Sequence, residues 1–194
     1  MMAFDAENAE TDEALLAAYA TGDARAARML TLRLGPRVFG HALRLTGNRT
    51  DAEDITQEAL LRLWRAAPDW RTGEAKVSTW LYRVTGNLCI DRARARRPNV
   101  ALDAIAEPED GAPGADDRMQ EATRMAALQV ALTSLPDRQR QAVVLRHIEG
   151  LSNPEIAGIM DMSVEAVESL TARGKRALAL ALAGRREELG YAEH

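Results

Sequence analysis

Residues 150–178 read GLSNPEIAGIMDMSVEAVESLTARGKRAL, and this stretch decides the fold because it predicts two short helices joined by a tight turn. Ser152 can cap the first helix, and Glu155 can reach back to the N–H of the cap, which is the pattern of a capping box. Ser163 offers a second cap after a turn at 160–162. The stretch predicts a helix-turn-helix; a solvated helix hairpin in an all-helical core is the alternative that needs no partner.

The second helix of this stretch has one face for packing and another for a partner. Its inward stripe, at helical spacing, is formed by Val164, Val167, Thr171, Gly174 and Leu178. The opposite face and its flanks carry Glu165, Glu168, Ser169, Ala172, Arg173 and Arg176. If the helix pair binds DNA, the second helix enters the major groove, where its N-terminal half contacts base edges while Arg173, Lys175 and Arg176 meet phosphates.

Composition predicts an all-α protein built from two small helical domains. The 194 residues are 46% hydrophobic but only 4% aromatic, and no run of alternating β-branched residues indicates a strand. The single cysteine, Cys89, lies in an apolar stretch, so we expect it to pack in a reducing, cytoplasmic setting. No apolar leader and no membrane-spanning stretch are visible, so we expect a soluble protein without direct membrane insertion.

The net charge of −4 argues at first against a nucleic-acid partner, but the charges are unevenly distributed. Acidic side chains are concentrated among prolines and glycines at Asp103, Glu107, Glu109, Asp110, Asp116, Asp117 and Glu121. Basic ones precede them at Arg92, Arg94, Arg96 and Arg97, and others follow in residues 173–186. We therefore predict a first domain at 11–98, a flexible acidic linker at 99–122 and a helix-turn-helix domain at 123–187.

The first domain is predicted to contain helices at 13–20 and 23–34, a third opened by Pro36, and a fourth that Thr50 or Asp51 caps. The inward stripe of the fourth is Ala52, Ile55, Ala59, Leu60 and Leu63. Asp54, Gln57, Glu58 and Leu61 point elsewhere. Acidic residues lie near the start of this helix and basic residues near its end, which is the order that the helix dipole favours. A solvated helix without a partner therefore explains the charges equally well.

After a loop at 70–77, the segment STWLYRVTGNLCIDRARARRP at 78–98 predicts a helix with an apolar and a basic side. Trp80, Leu81, Val84, Leu88 and Cys89 are expected to pack inward. Tyr82, Arg83, Asn87, Arg94 and Arg97 are expected on the outer surface, where an aromatic ring beside arginines suits single-stranded nucleic acid. A core tryptophan and a solvated arginine-rich helix end are the alternative.

The order of these pieces resembles the bacterial RNA polymerase sigma factors of the extracytoplasmic-function (ECF) family. The resemblance is carried by DAEDITQEALLRLWR at 51–65, by residues 78–97, and by LTSLPDRQRQAVVLRHIEG with the helix-turn-helix, at 132–178. It implies a first domain that binds the clamp of core RNA polymerase and melts the minus-ten element. It implies a second that binds the polymerase flap and the minus-thirty-five element of promoter DNA, and control by an anti-sigma factor, commonly in stress responses.

The resemblance also implies roles for individual residues. The residues expected to bind core polymerase are Asp54, Gln57, Glu58, Leu61 and Trp64. Those expected to bind the minus-ten element are Trp80, Tyr82, Arg83, Asn87, Arg94 and Arg97, and the loop at 70–77 is expected to capture a flipped base. Those expected to bind the minus-thirty-five element are Ser152, Glu165, Glu168, Ser169, Ala172, Arg173 and Arg176.

Glu165 and Glu168 depart from the family pattern, because many relatives carry basic residues early in this helix. Phosphates repel carboxylates, but a carboxylate can accept a hydrogen bond from a cytosine amino group. The departure is compatible with an unusual minus-thirty-five sequence, with a weak duplex contact offset by polymerase binding, or with a sigma-like mimic that sequesters an anti-sigma factor. A stand-alone helix-turn-helix regulator is a further alternative.

Catalysis and cofactor binding are not expected. The three histidines, His41, His147 and His194, are scattered, and no phosphate-binding glycine loop or metal-ligand spacing is visible. We therefore expect no enzymatic activity, no cofactor, no metal site and no small-molecule substrate. The acidic linker is either a solubilising tether or a segment that lies in the nucleic-acid channel of polymerase until growing RNA displaces it.

Overall fold

A computed structural model describes residues 11–71, 73, 75–96 and 115–183, with 115–121 described by their backbone alone. Every regular element in this part of the chain is helical, which confirms the all-α prediction. The chain divides into two compact units, the first comprising Met1–Leu43 with Asn48–Leu88 and the second Arg44–Gly47 with Cys89–His194. None of the described helices is long and apolar enough to cross a membrane.

The helices of the N-terminal part are α1 (Asp12–Ala20), α2 (Ala24–Thr46), α3 (Arg49–Ala66) and α4 (Val77–Arg96), with a 3₁₀ turn at Ala67–Asp69. Their core is a cluster of small and branched apolar side chains contributed by all four helices. Its members are Leu15, Leu16, Ala26, Leu30, Leu34, Val38, Ala59, Leu63, Ala67, Val77 and Leu81. The predicted inward stripe of α3 is confirmed, with Leu60 at its partly exposed edge.

Two expectations about helix starts are wrong. Pro36 lies inside α2 and does not open a new helix. The buried side chains of Leu34 and Val38 on either side hold the helix together through the proline, although proline removes one backbone bond. The cap of α3 is Asn48, whose side-chain oxygen accepts from the N–H of Asp51 at 2.9 Å, so neither Thr50 nor Asp51 caps this helix.

The C-terminal part contains α5 (Ala115–Thr133), α6 (Asp137–Val143), a π-helical turn (Val144–Ile148), α7 (Asn153–Met160) and α8 (Val164–Ala183). The C-terminal end of the segment predicted as linker is therefore helical, while residues 99–114 lie outside the described residues. So do Arg186, the last arginine of the second basic cluster, and the end of the domain predicted to reach residue 187. Buried side chains from α5 to α8 form the core, among them Leu132, Val143, Leu145, Ile156 and Val167.

The helix-turn-helix consists of α7, a tight turn and α8. Ser152 and Glu155 form the predicted capping box: the Glu155 carboxylate accepts from the backbone N–H of Ser152 at 2.9 Å and from its hydroxyl at 2.7 Å. Asp161 has φ 53° and ψ 59°, the left-handed conformation that ends α7 and reverses the chain. Ser163 then accepts from the N–H of Ala166 at 3.3 Å, as predicted for the second cap.

Gly174 places α8 against α6. A Cβ at this position would lie 2.5 Å from Cγ2 of Val143 and 3.2 Å from the carbonyl oxygen of Gln139. Only hydrogen fits there, so the glycine sets the close approach of the two helices. The close approach fixes which face of α8 turns away from the core.

Candidate nucleic-acid interface

The outer face of α3 carries both acidic and apolar side chains. Asp54, Gln57 and Leu61 are exposed, with Leu61 48% exposed, and Glu58 is half-buried and accepts from Nε of Arg62 at 2.8 Å. Trp64 is half-buried, and its ring lies 4.8 Å from that of Tyr19 between centroids. The face therefore presents apolar area from Leu61 beside the polar groups of Asp54 and Gln57.

The outer face of α4 is basic, but it lacks the expected tyrosine. Arg83, Asn87 and Arg94 are exposed, and Arg97 lies outside the described residues. Tyr82 is only 3% exposed because it shares the inward face of α4 with Thr85 and Cys89. Its ring meets that of buried His41 edge-on at 4.8 Å. The prediction that Tyr82 offers a stacking surface is therefore wrong.

A pocket of about 340 Å³ lies where the loop before α4 meets the end of α3. Its lining residues are Ala66, Asp69, Trp70, Arg71, Ala75 and Trp80. The rings of Trp70 and Trp80 meet edge-on with centroids 5.8 Å apart. The indole Nε1 of Trp70 is buried and has no hydrogen-bond partner among the residues that the structure describes. Trp80, expected in the core, is half-buried and forms one wall of this pocket.

The outward face of α8 has the composition expected from its helical periodicity. Glu165, Glu168, Ser169, Ala172, Arg173 and Arg176 are all exposed, whereas Val167 and Gly174 are buried. Arg173 donates from Nε to the carbonyl oxygen of Ser169 at 3.2 Å, and Arg176 donates likewise to that of Ala172 at 3.4 Å. Ser152 is exposed too, although its hydroxyl serves the capping box.

The two glutamates of α8 are held differently. Glu165 accepts from its own backbone N–H and from Ser163 at the helix N-terminus, and these bonds hold the pKa of its carboxyl below the ordinary value. Glu168 lies beyond the capping region, and its Oε1 accepts from Nδ2 of Asn153 in α7 at 3.3 Å. The sequence patterns did not single out Asn153, because a residue that follows a cap carries no periodic signal of its own.

A groove of about 310 Å³ with apolar walls lies among α5, the π-helical turn and α8. It is lined by Leu128, Leu132, Val143, His147, Ile148, Lys175 and Leu178. Partial burial, then the charges of Lys175 and Arg146, lower the pKa of His147. Within the described residues no cluster of acidic, histidine and cysteine side chains is placed to hold a metal ion.

Comparison with known families assigns both halves of the chain. Residues 30–98 match the Sigma-70 region 2 model, and residues 125–178 match the model named Sigma-70, region 4. The ECF RNA polymerase sigma factor SigM of Mycobacterium tuberculosis is 36% identical over 91% of this chain and 87% of its own length. SigW of Bacillus subtilis is 34% identical over 73% of this chain and 81% of its own length.

SigE of Mycolicibacterium smegmatis is 40% identical over 73% of this chain, and the match spans only 56% of that longer protein. Among solved structures, CnrH, in complex with the cytosolic domain of CnrY, superposes with a TM-score of 0.66 at 27% identity, covering 89% of this chain and 97% of CnrH. Family models match both halves in the expected order, and relatives above 30% identity align over most of their own length. The chain therefore belongs to the ECF family of RNA polymerase sigma factors.

Proposed function

We propose that this chain is a dissociable transcription initiation factor of the bacterial cytoplasm, which binds core RNA polymerase, directs it to specific promoters and helps to open the minus-ten element. The observation that carries the proposal is the exposure of three chemically distinct helix faces, on α3, α4 and α8. The face of α3 is acidic and apolar, that of α4 is basic, and that of α8 carries two glutamates and two arginines. Each face lies within the matched sigma region that would use it. A single nucleic-acid function does not require the acidic face.

The face of α3 is the proposed contact with the polymerase clamp. Asp54 and Gln57 are exposed for polar contacts, and Leu61 supplies apolar area that would be covered in the complex. Glu58 and Trp64 are half-buried and lie at the border of this patch. The apolar groove beneath α8 supports a second contact, with the polymerase flap, because its walls need a partner of similar character.

The face of α4 and the adjoining pocket are the proposed minus-ten site. Arg83, Asn87 and Arg94 supply charge and amide groups for phosphates and base edges. The pocket lined by Trp70 and Trp80 has aromatic walls, which suit a base flipped out of the stack. Arg97 stays in this proposal on the resemblance alone.

The face of α8 is the proposed minus-thirty-five site, with Ser169 and Ala172 near the base edges and Arg173 and Arg176 toward phosphates. Control by an anti-sigma factor is part of the proposal on the resemblance, and it is supported by the solved complex of the sigma factor RpoE with the anti-sigma factor NepR from Bartonella quintana, a structure similar to this chain with a TM-score of 0.66 at 22% identity. An anti-sigma factor for this chain is recognised in an experiment because it competes with core polymerase for binding to the chain.

The test is transcription of the fragmented genome by core polymerase with and without this protein. We expect new transcripts whose start sites share two upstream elements. Combined replacement of Asp54, Gln57 and Glu58 by alanine should abolish them and weaken polymerase binding at least about tenfold. Replacement of exposed Arg37 by alanine, on a face without a proposed partner, is the matched control.

Two results would contradict the proposal. Duplex binding by the protein without any polymerase affinity would indicate a stand-alone regulator. Binding to an anti-sigma factor without promoter-specific transcripts would indicate a sigma-like mimic.

A further inference from the structure

The glutamates of α8 occupy the part of the helix that would enter the major groove, yet they have different surroundings. Glu165 lies in the first turn of α8, close to Ser163 and to the backbone N–H groups of the helix N-terminus. Glu168 is exposed one turn later, beyond the reach of those N–H groups. Its Oε1 accepts a hydrogen bond from Nδ2 of Asn153 at 3.3 Å.

Asn153 orients Glu168 from the neighbouring helix. A carboxylate can only accept hydrogen bonds, so the Asn153 amide must present its N–H₂ group to it. The amide oxygen of Asn153 is buried and has no hydrogen-bond partner among the described residues, so the contact with Glu168 is the one polar contact of this amide that has a stated distance. The contact uses Oε1 of Glu168, and the carboxylate has a second oxygen, Oε2, that can accept from another donor.

The base that a carboxylate oxygen would select follows from the hydrogen-bonding groups that each base presents in the major groove. Cytosine presents the N4 amino group as a donor with no acceptor beside it. Adenine also offers an amino group, but its N7 acceptor would face the carboxylate and repel it, and guanine and thymine present acceptors there. Ala172, one turn after Glu168 on the same face, is exposed and small enough to let the base pair approach.

We infer that Glu168, positioned by Asn153, selects a cytosine in the minus-thirty-five element. The inference rests on the proposed function of α8 and adds the identity of one base. It assigns Asn153 a positioning role and turns the departure from the family's basic pattern into a specificity device.

The experiment uses holoenzyme assembled from core polymerase and the full chain. Holoenzyme is incubated with a duplex library randomised across the upstream element, and the retained DNA is sequenced. Wild type should prefer cytosine at one position by at least about fivefold over every other base. Glu168→Gln should move that preference to adenine, because glutamine pairs with both N6 and N7 of adenine.

Two variants separate positioning from general stability. Asn153→Ala should reduce the cytosine preference at the same position without creating an adenine preference, whereas a merely structural role would weaken all sequences equally. Glu53→Gln, at an exposed carboxylate of α3 that belongs to no proposed interface, is the matched control, and we expect it to leave the base preference at this position unchanged.

The outcomes are distinguishable from failure of the proposed function. An upstream element that is selected by wild type but is unaltered by Glu168→Gln overturns the inference and leaves the proposed function standing. A change at the same position caused by Glu53→Gln also overturns it. If wild-type holoenzyme enriches no upstream element, both the proposed function and the inference fail.

Discussion

At the scale of single residues, two glycines in adjoining helices have opposite surroundings. Gly174 has Val143 and the backbone of Gln139 against it, whereas Gly158 in α7 has nothing within 4 Å of the position a Cβ would take. We expect Gly174→Ala to lower the free energy of unfolding by about 1–3 kcal/mol through overpacking. Gly158→Ala should raise it by about 0.5–1 kcal/mol through helix propensity.

Urea denaturation followed by circular dichroism measures both glycine variants. Equal effects of the two substitutions would mean that α8 does not pack on α6 at Gly174.

His147 makes the stability of the protein depend on pH. Its pKa is lowered in the folded state, so below about pH 6.5 the unfolded chain takes up a proton that the folded chain resists. Stability should therefore fall as the pH drops through this range. His147→Gln should lessen the fall, and parallel denaturation curves at pH values of about 7.5 and 5.5 measure it. A steeper fall in the variant would contradict the direction of the shift.

Residue exposure could be predicted from sequence wherever a helix is strictly periodic. The outward positions of α8 and the inward stripe of α3 follow from 100° per residue alone. Tyr82 could not be placed in this way, because α4 buries Leu81 and Tyr82 together and His41 fills the space beside the ring. The Asn153–Glu168 hydrogen bond could not be predicted from sequence either, because it joins side chains of separate helices.

At the scale of elements, the capping box decides how α7 begins. Ser152→Ala removes the acceptor of the Glu155 N–H and the donor to its carboxylate. We expect a loss of about 0.5–2 kcal/mol in the free energy of unfolding, while Ser152→Thr should retain most of it.

Thermal unfolding of the two Ser152 variants distinguishes this capping role from a DNA contact. A fall in duplex affinity without a fall in stability for Ser152→Ala would assign the residue to DNA instead.

Element boundaries set by local chemistry were predictable, and those set by tertiary packing were not. The caps of α7 and α8 follow from sequence because serine and glutamate at the right spacing satisfy the helix N-terminus. The continuity of α2 through Pro36 depends on the burial of Leu34 and Val38 against other helices, which no local pattern reveals. The cap of α3 was misplaced by a few residues because Asn48, Thr50 and Asp51 are all good caps.

At the scale of the whole molecule, the outer faces of α4 and α8 should act at separate steps. Replacing Arg83 and Asn87 by alanine should lower the yield of open promoter complexes about tenfold, with little change in upstream duplex binding. Arg173→Ala should do the reverse and weaken upstream binding about five- to tenfold. Permanganate reactivity of unpaired thymines and footprinting of the upstream element measure the two steps. Equal loss of both steps in both variants would contradict the separation.

The aromatic contacts of the N-terminal part have a spectroscopic consequence. Trp64, Trp70 and Trp80 are the three tryptophans of the chain, and all belong to the unit that contains Asn48–Leu88. Intrinsic fluorescence excited at the indole band therefore reports the unfolding of that unit, while far-ultraviolet dichroism reports helices throughout. We expect occupation of the pocket between Trp70 and Trp80 by a stacked base to quench this emission, so opening of the minus-ten element can be timed by stopped flow without an attached dye.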